Sequence, residues 1–421
     1  MNQIAVVGMG YVGLVTAACF ADVGYKVLCL DIDSRKIASL EKGQIPIFEP
    51  ELDLLVQRNI AAGRLLFTTD YQIALKHTHI VMVTVDTPTG SDGTSNLSNL
   101  SHAIRSIGHT ASQNIVLIIK STVPVGTSTY AKSLLMECFQ ERGVPYTVDV
   151  VSHPEFLSEG CAIHNFRKPD RVIFGVANER TEGLMRDLYQ PFNLPADAFI
   201  FMDLPSSEMT KYAANTMLAC RISFMNWMSQ LCEKTGADIE SVRAGIGSDS
   251  RIGPAFLRAG VGFGGSCFPK DIRALRGMAA KFGMPTLMIE AIDQINEHQK
   301  HVLAHKIIDY FQSKDTIQEK VVAILGLSFK PETDDIRDAP ALTIIHHLLE
   351  HGLRLRLYDP AAMDTAKKVI RPSPCITWCD DAYSAIHSSH AIALITEWKE
   401  FTTIRWEKAR QTMLGNAFFD G

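Results

Sequence analysis

Short apolar runs separated by longer amphipathic stretches set the pattern of the first two hundred or so residues. IAVVG, KVLCLD, HIVMVTV, NIVLIIKS and YTVDVVS are nearly continuous hydrophobic segments of strand length. Strands that read this way are buried on both faces, as in parallel sheets whose crossovers are helices. The alternation predicts a doubly wound sheet that continues to about residue 200. The period then changes. Residues 206–234, SSEMTKYAANTMLACRISFMNWMSQLCEK, hold neither Gly nor Pro and predict one long helix with Ser206 or Ser207 as its N-cap. That helix is apolar on more than one face (Met217, Leu218, Ile222, Phe224, Met225, Trp227, Met228), so it is expected to be buried, with a subunit contact completing the burial. A helical middle region follows to roughly residue 312. Strand and helix alternate again through KVVAILGLSF, LRLRLYDP and SHAIALITEW.

Composition narrows the partners. The chain has 421 residues, 46% hydrophobic and 21% charged, with a net charge of −5. It has the balance of an ordinary globular protein and no basic face for nucleic acid; Lys367 and Lys368 are the densest basic point. The nine cysteines have no framework spacing, which favours reduced thiols and a cytoplasmic setting. Cys375 and Cys379 form a C-x3-C with no partner pair, so no metal site is expected. The apolar start MNQIAVVGMGYVGLVTAACF lacks the basic head of a signal peptide, and no apolar run is long enough to span a bilayer.

The first strand runs into Gly8-x-Gly10-x-x-Gly13, and a helical segment follows. The first glycine permits a tight turn, the second lets backbone approach a pyrophosphate, and the third lets helix pack on strand. The second strand ends in Asp31, at the distance where an acid accepts from a ribose 2′-hydroxyl and repels a 2′-phosphate. A dinucleotide site selective for NAD is the expectation. The expected fold class is α/β: two Rossmann-like doubly wound domains joined by a long central helix and a helical middle domain. The expected boundaries are 1–203 for the NAD-binding domain, 204–313 for the central helix and helical dimerisation domain, and 314–421 for the second Rossmann-like domain.

Three further stretches carry chemistry. SHPEFLSEGCAIHNFRKPDRVIFG places Glu155 and Glu159 four apart, on one face if that turn is helical, although a solvated acidic loop explains the spacing equally. Lys211 and Asn215 are likewise four apart on the long helix, a spacing that surface residues also show. AGVGFGGSCFPKD is the sharpest signal. Pro269 suits the first turn of a helix, so Cys267 sits just before a helix N-terminus, where the dipole and unpaired N–H groups favour a thiolate. The glycines at 262, 264 and 265 would clear the approach of a substrate, and Asp271 lies one turn on.

These residues bring a family into view. The chain resembles the UDP-glucose/GDP-mannose dehydrogenases through GMGYVG, STVPVGT, HPEFLSEGCAIHNFRKPDRVIFG, KYAANTMLACRISFMN, GIGSDSRIGPAFLRAGVGFGGSCFPKD and ILGLSFKPETDDIRDAPA, in the family's order over residues 8–341. The resemblance implies oxidation of a nucleotide sugar's primary alcohol to a carboxylate with two NAD. It makes Cys267 the nucleophile that carries the sugar as thiohemiacetal and thioester. Asp271 and Lys211 would handle protons and oxyanion, Asn215 would polarise the substrate oxygen, and Glu159 and Thr122 would place the hydrolytic water. It implies cofactor contacts from Gly8, Gly10, Tyr11, Val12, Gly13, Asp31, Lys36, Thr87, Thr122, Glu159, Lys270 and Arg337. Substrate contacts would come from Glu155, Phe156, Leu157, Ser158, Glu159, Lys211 and Asn215, from Phe256, Leu257, Arg258, Ala259 and Gly260, and from Gly264 and Lys330, with Arg251 reaching a neighbouring subunit's site.

Within that family KYAANTMLACRISFMN is nearer the branch acting on UDP-glucose than those acting on GDP-mannose or UDP-N-acetylhexosamines. UDP-glucose and a homodimer are therefore the expected partners, with no nucleic acid and no membrane. A silent NAD-binding protein is the competing reading, and it gives no reason for a thiol nucleophile. Two departures stand out: Trp227 replaces an acid common among relatives, and the chain ends at NAFFDG where relatives continue, so the last strand is expected to be less well anchored.

Overall fold

The computed structural model describes residues 3–90, 93–314 and 317–421. They form two compact units, one ending at Ala213 and the other beginning at Ala214. The division falls inside the predicted long helix, which runs unbroken over Leu204–Thr235.

The first unit is built on eight strands: β1 (Gln3–Val7), β2 (Lys26–Leu30), β3 (Leu65–Thr68), β4 (Ile80–Val83), β5 (Ile115–Ile119), β6 (Val148–Ser152), β7 (Val172–Gly175) and β8 (Phe199–Met202). Their order is β3-β2-β1-β4-β5-β6-β7-β8. All pairings are parallel except β6 with β7, which touch antiparallel at Ser152 and Gly175. Side chains alternate between two buried layers: Ile4 and Val6 of β1 enter one, Ala5 and Val7 the other. That two-sided burial is why the central strands read as continuous apolar runs. The chain reverses its winding between β1 and β4, and the glycine-rich turn leaves β1 at this switch point, where such sheets bind ligands.

The second unit contains helices Phe268–Lys281 and Leu287–Gln312 and a five-stranded parallel sheet. Its strands are β9 (Val321–Leu325), β10 (Arg354–Tyr358), β11 (Ile376–Trp378), β12 (Ala391–Leu394) and β13 (Ala417–Asp420), in the order β11-β10-β9-β12-β13. The expectation of a loose final strand does not hold. β13 pairs with β12 from Ala391 opposite Ala417 to Leu394 opposite Asp420, and the Gly421 N–H donates to the Leu394 carbonyl at 2.9 Å.

The long helix starts two residues before the sequence reading placed it. Asp203 is its capping side chain, accepting from the Ser206 N–H and the Ser206 hydroxyl at 2.8 Å each. Pro205 occupies the first turn, where its missing N–H costs nothing. Among the described residues no helix is long and apolar enough to cross a membrane.

Phe20, fully buried, anchors the first core layer, with Tyr25, Phe166, Tyr189 and Phe192 packed edge-on around it at 5.3–5.6 Å between ring centres. Phe20→Ala removes the ring from a site hemmed by four other aromatic rings and should cost roughly 3–5 kcal/mol in chemical unfolding. An unchanged unfolding midpoint would contradict this packing.

Candidate active site

At the glycine-rich turn the three glycines divide their work. Gly8 has φ +99°, and a Cβ there would lie 2.9 Å from the Val85 nitrogen. A Cβ on Gly13 would lie 1.8 Å from the Gly8 carbonyl oxygen. A Cβ on Gly10 would meet nothing within 4 Å, so this glycine keeps open a space the protein does not fill. Gly10 is the N-cap of helix Tyr11–Asp22 and makes no side-chain cap, which leaves the first-turn N–H groups, Tyr11 and Val12 among them, for an anion. Asp31 closes the turn: it accepts from the Met9 N–H (2.7 Å), the Asp33 N–H (3.0 Å) and the Lys36 ammonium (2.9 Å). A carboxylate accepts about four hydrogen bonds, so one position remains for a ribose hydroxyl. The cradle fits a dinucleotide. Thr87 donates to the Thr122 carbonyl at 2.7 Å, tying the segments after β4 and β5 together.

Beyond β6 the chain does not continue as a helix, so Glu155 and Glu159 do not share a helical face. Residues 153–158 form an irregular segment and the next helix is Ala162–Arg167. Glu155 is buried and Glu159 half-buried. Lys211 donates to the Glu155 carbonyl (2.6 Å) and to Glu155 Oε1 (2.8 Å), while the Leu157 N–H donates to Oε2 (2.6 Å). Burial alone would raise the Glu155 carboxyl. The Lys211 charge and hydrogen bond, the Leu157 N–H and the Lys120 charge outweigh it, and the group lies below its ordinary range. Phe156 lies under the Arg171 guanidinium, 3.9 Å from ring centre.

A second buried cation stands behind this pair. Lys120, only 3% exposed, donates to His153 Nε2 at 3.1 Å. His153 Nδ1 donates to the Ile173 carbonyl at 2.9 Å, which fixes Nε2 as an acceptor for Lys120 and for the Tyr189 hydroxyl at 2.5 Å. Burial, together with the nearby Lys211 charge, pulls the Lys120 ammonium down to about 8, against the pull of Glu155. Burial and then Lys120 hold His153 well below its ordinary value, so its imidazole is neutral. Lys120, His153, Glu155, Phe156, Arg171 and Tyr189 line a cavity of about 140 Å³.

In the second unit Cys267 is the N-cap of helix Phe268–Lys281, with Pro269 in the first turn, as the sequence predicts. Asp271, 1% exposed, donates its N–H to the Cys267 carbonyl (2.9 Å). Its carboxylate accepts from the Asn215 amide (2.6 Å) and the Lys270 ammonium (2.6 Å). The Ser266 hydroxyl is 3.6 Å from the Cys267 sulfur. The glycines ahead of the cysteine serve the protein first. A Cβ on Gly264 would lie 2.4 Å from the Asp338 carbonyl oxygen, one on Gly265 2.8 Å from the Phe329 ring, and one on Gly262 3.1 Å from Asn296. Their small size lets neighbouring chain pack against the loop, rather than clearing a path for substrate.

The segment before it is tied to the long helix. Arg221 donates to the Ile252 (2.9 Å) and Gly253 (2.7 Å) carbonyls, and the Gly260 N–H donates to Asn226 Oδ1 (2.8 Å). Leu257 is buried, Ala259 half-buried, and Phe256 and Arg258 exposed, with Phe256 at φ +58°. Arg251 is exposed and forks onto Asp249. Arg337 forks onto Asp335 while its carbonyl accepts from the Gly265 N–H (2.7 Å), and Lys330 lies over the Phe329 ring.

Sequence reasoning missed Lys120, Glu49 and Glu208. Glu49 bonds the Tyr11 hydroxyl and accepts from the Gly160 (2.6 Å) and Ala162 (2.7 Å) N–H groups, which sets the turn that carries Glu159. Glu208 accepts from the Gly126 and Ser128 N–H groups at 2.6 Å each, fixing the STVPVGT loop. A lysine directly after the all-apolar run IVLII was the one available signal, because such a strand end is buried. Lys120 gives a pH test. Its folded value lies below the unfolded 10.5, so the stability associated with the neutral amine is complete above about 10.5 and lost as pH falls through about 8. Between these limits, wild type should gain on Lys120→Met by up to roughly 3 kcal/mol in chemical unfolding as pH rises. A difference independent of pH would refute the buried-amine account.

Profiles of three consecutive domains match the sequence: the UDP-glucose/GDP-mannose dehydrogenase family's NAD binding domain over residues 2–193, its central domain over 205–298 and its UDP binding domain over 323–421. The UDP-glucose 6-dehydrogenase of Pseudomonas aeruginosa is 41% identical over 422 residues, covering 100% of this chain and 93% of the relative. A UDP-glucose dehydrogenase structure from Pyrobaculum islandicum superimposes with a TM-score of 0.88 at 30% identity, over 100% of this chain and 97% of that one. A UDP-D-ManNAc dehydrogenase structure from Pyrococcus horikoshii gives 0.84 at 26% identity, over 100% and 95%. With its glycine cradle, buried lysine–glutamate pair and helix-capping cysteine covered end to end by these matches, the chain belongs to the UDP-glucose/GDP-mannose dehydrogenase family.

Proposed function

We propose that this chain oxidises UDP-glucose to UDP-glucuronate with two NAD, through a sugar held covalently on Cys267. The observation that carries the reading is Cys267 at the N-cap of helix Phe268–Lys281, one turn before the buried Asp271. A protein that only bound NAD would have no use for that pair. Bound NAD supplies the hydride acceptor for both oxidations. The cradle at Gly8, Gly10 and Gly13 holds the pyrophosphate, and Asp31 takes the ribose.

The residue roles follow from charge and hydrogen bonding. First-turn N–H groups favour the Cys267 thiolate, which adds to the aldehyde carbon and gives a thiohemiacetal. Asn215 gives one amide hydrogen to Asp271, and the second would polarise the substrate oxygen. Lys211, ion-paired with Glu155, stabilises the oxyanion. Asp271 takes up the proton, and Thr122 and Glu159 place the water that hydrolyses the thioester. Residues 1–203 bind NAD, 204–313 carry the nucleophile and the dimer contact, and 314–421 bind the uridine diphosphate, with Lys330 contacting the substrate and Arg337 the cofactor. The cytoplasm suits an enzyme that works with a reduced thiol, and among the described residues no cysteine is in a disulfide.

The homodimer reading rests on the long helix. One of its faces is buried through Ala219 and Met225, while Met217 (59% exposed), Phe224 (48%), Trp227 (48%) and Leu231 (41%) leave an apolar stripe on another. A second copy would cover it.

NADH formation with UDP-glucose, GDP-mannose and UDP-N-acetylglucosamine tests the substrate, and UDP-glucose should be preferred in kcat/KM; preference for either other sugar would overturn the assignment. Cys267→Ser should lose uronate formation by on the order of 10³-fold or more while still binding NAD, and a variant of near-normal rate would remove the cysteine from the mechanism. Light scattering should give twice the chain mass, and Trp227→Glu should shift it toward monomer; a wild-type monomer at micromolar concentration would contradict the dimer.

A further inference from the structure

Four histidines meet on the second unit, away from every residue given a role above. His301 and His305 are one turn apart on helix Leu287–Gln312. His347 and His351 are one turn apart at the end of helix Pro340–Glu350, where His351 is the C-cap. The two helices pack through Leu303, Ala304, Ile307 and Ile308 against Ile344, Ile345 and Leu348. Their histidines gather at the rim of that contact. Ring centres are 4.9 Å apart for His305 and His347, 5.4 Å for His301 and His347, 4.8 Å for His347 and His351, and 6.1 Å for His301 and His305.

Those spacings suit coordination. A metal bound by imidazole at 2.0–2.1 Å lies roughly 3.2 Å from each ring centre, so tetrahedral ligands have ring centres about 5 Å apart. Paired histidines one helical turn apart present two such ligands on one face. His351 Nδ1 donates to the His347 carbonyl at 2.8 Å, which leaves its Nε2 with the lone pair that a metal needs. Glu350 lies 3.9 Å from His347 Nδ1 and 3.2 Å from His346 Nε2, adding a carboxylate beside the rings. The rings stack and pack edge to face here, and His305 is exposed; coordination requires these side chains to rotate until their nitrogens converge.

We propose that His301, His305, His347 and His351 form a site for a divalent transition ion of the zinc, nickel or copper class, which clasps the Leu287–Gln312 helix to the Pro340–Glu350 helix. Imidazole sets of this kind favour those ions over magnesium or calcium. The expectation of no metal site from cysteine spacing concerned thiolates and did not weigh these histidines. The site is independent of substrate, so its test does not depend on the assignment of the reaction.

Protein without a polyhistidine tag, stripped with chelator, is titrated with Zn²⁺ by calorimetry and with Co²⁺ by absorption. One equivalent of Zn²⁺ per chain should bind at pH 7.5 and weaken sharply at pH 5.5, where protons compete for the rings. Thermal stability should rise with Zn²⁺ in the wild type. His305→Gln, an exposed change, should weaken binding at least ~10-fold, and His305→Gln with His347→Gln should abolish both binding and the stability gain. The Co²⁺ form should show ligand-field bands with no thiolate charge-transfer band. No Zn²⁺ binding at roughly 100 µM, one equivalent retained by the double variant, or a thiolate band would each overturn the site.

Discussion

The contacts made by the long helix depend on one unbroken hydrogen-bond ladder from Leu204 to Thr235. At about 1.5 Å per residue it spans roughly 48 Å, and its side chains tie down segments within each of the two units. Glu208 fixes the STVPVGT loop, Lys211 clamps Glu155, Asn215 meets Asp271, and Arg221 and Asn226 pin the segment before the cysteine. Those five positions follow from helical geometry alone once the ladder is intact. A proline in its interior would break the ladder and displace each of them, at a cost of about 3 kcal/mol or more before any tertiary loss.

Charge is managed separately in each unit. In the first, two ammonium groups, Lys120 and Lys211, surround one carboxylate, and the surplus is relieved by lowering Lys120 and keeping His153 neutral. In the second, the buried Asp271 carboxylate is matched by Lys270 and the Asn215 amide. A buried ion without such partners costs several kcal/mol, so these groups are held rigidly and their orientation is set before substrate arrives. The same need explains Glu208, whose burial raises it above the usual carboxylate range while two N–H groups bond it.

Much of this was legible in the sequence where one physical requirement dominates. GMGYVG announces a strand, a tight turn and a helix because only glycine fits at Gly8 and Gly13. Pro269 announces the helix start that makes Cys267 an N-cap. The central strands are legible because burial on both faces demands continuous apolar runs. Edge strands such as β8 and β11 are only partly buried, so FIFM and ITW do not stand out. Long-range pairings were invisible: Glu155 with Lys211, Lys120 with His153, and Glu49 with the turn at Gly160 join residues 33 to 111 positions apart. The glycines near Cys267 show the limit of local reasoning, since an absent side chain looks the same whether substrate or Phe329 occupies the space.

The central claim is that Cys267 keeps the sugar bound between two oxidations, and the ratio of NADH formed to UDP-glucose consumed tests it most directly. With excess NAD and a carbonyl-trapping reagent present, the account predicts two NADH per sugar, uronate as the product and no trapped aldehyde. One NADH per sugar with aldehyde captured in solution would contradict it.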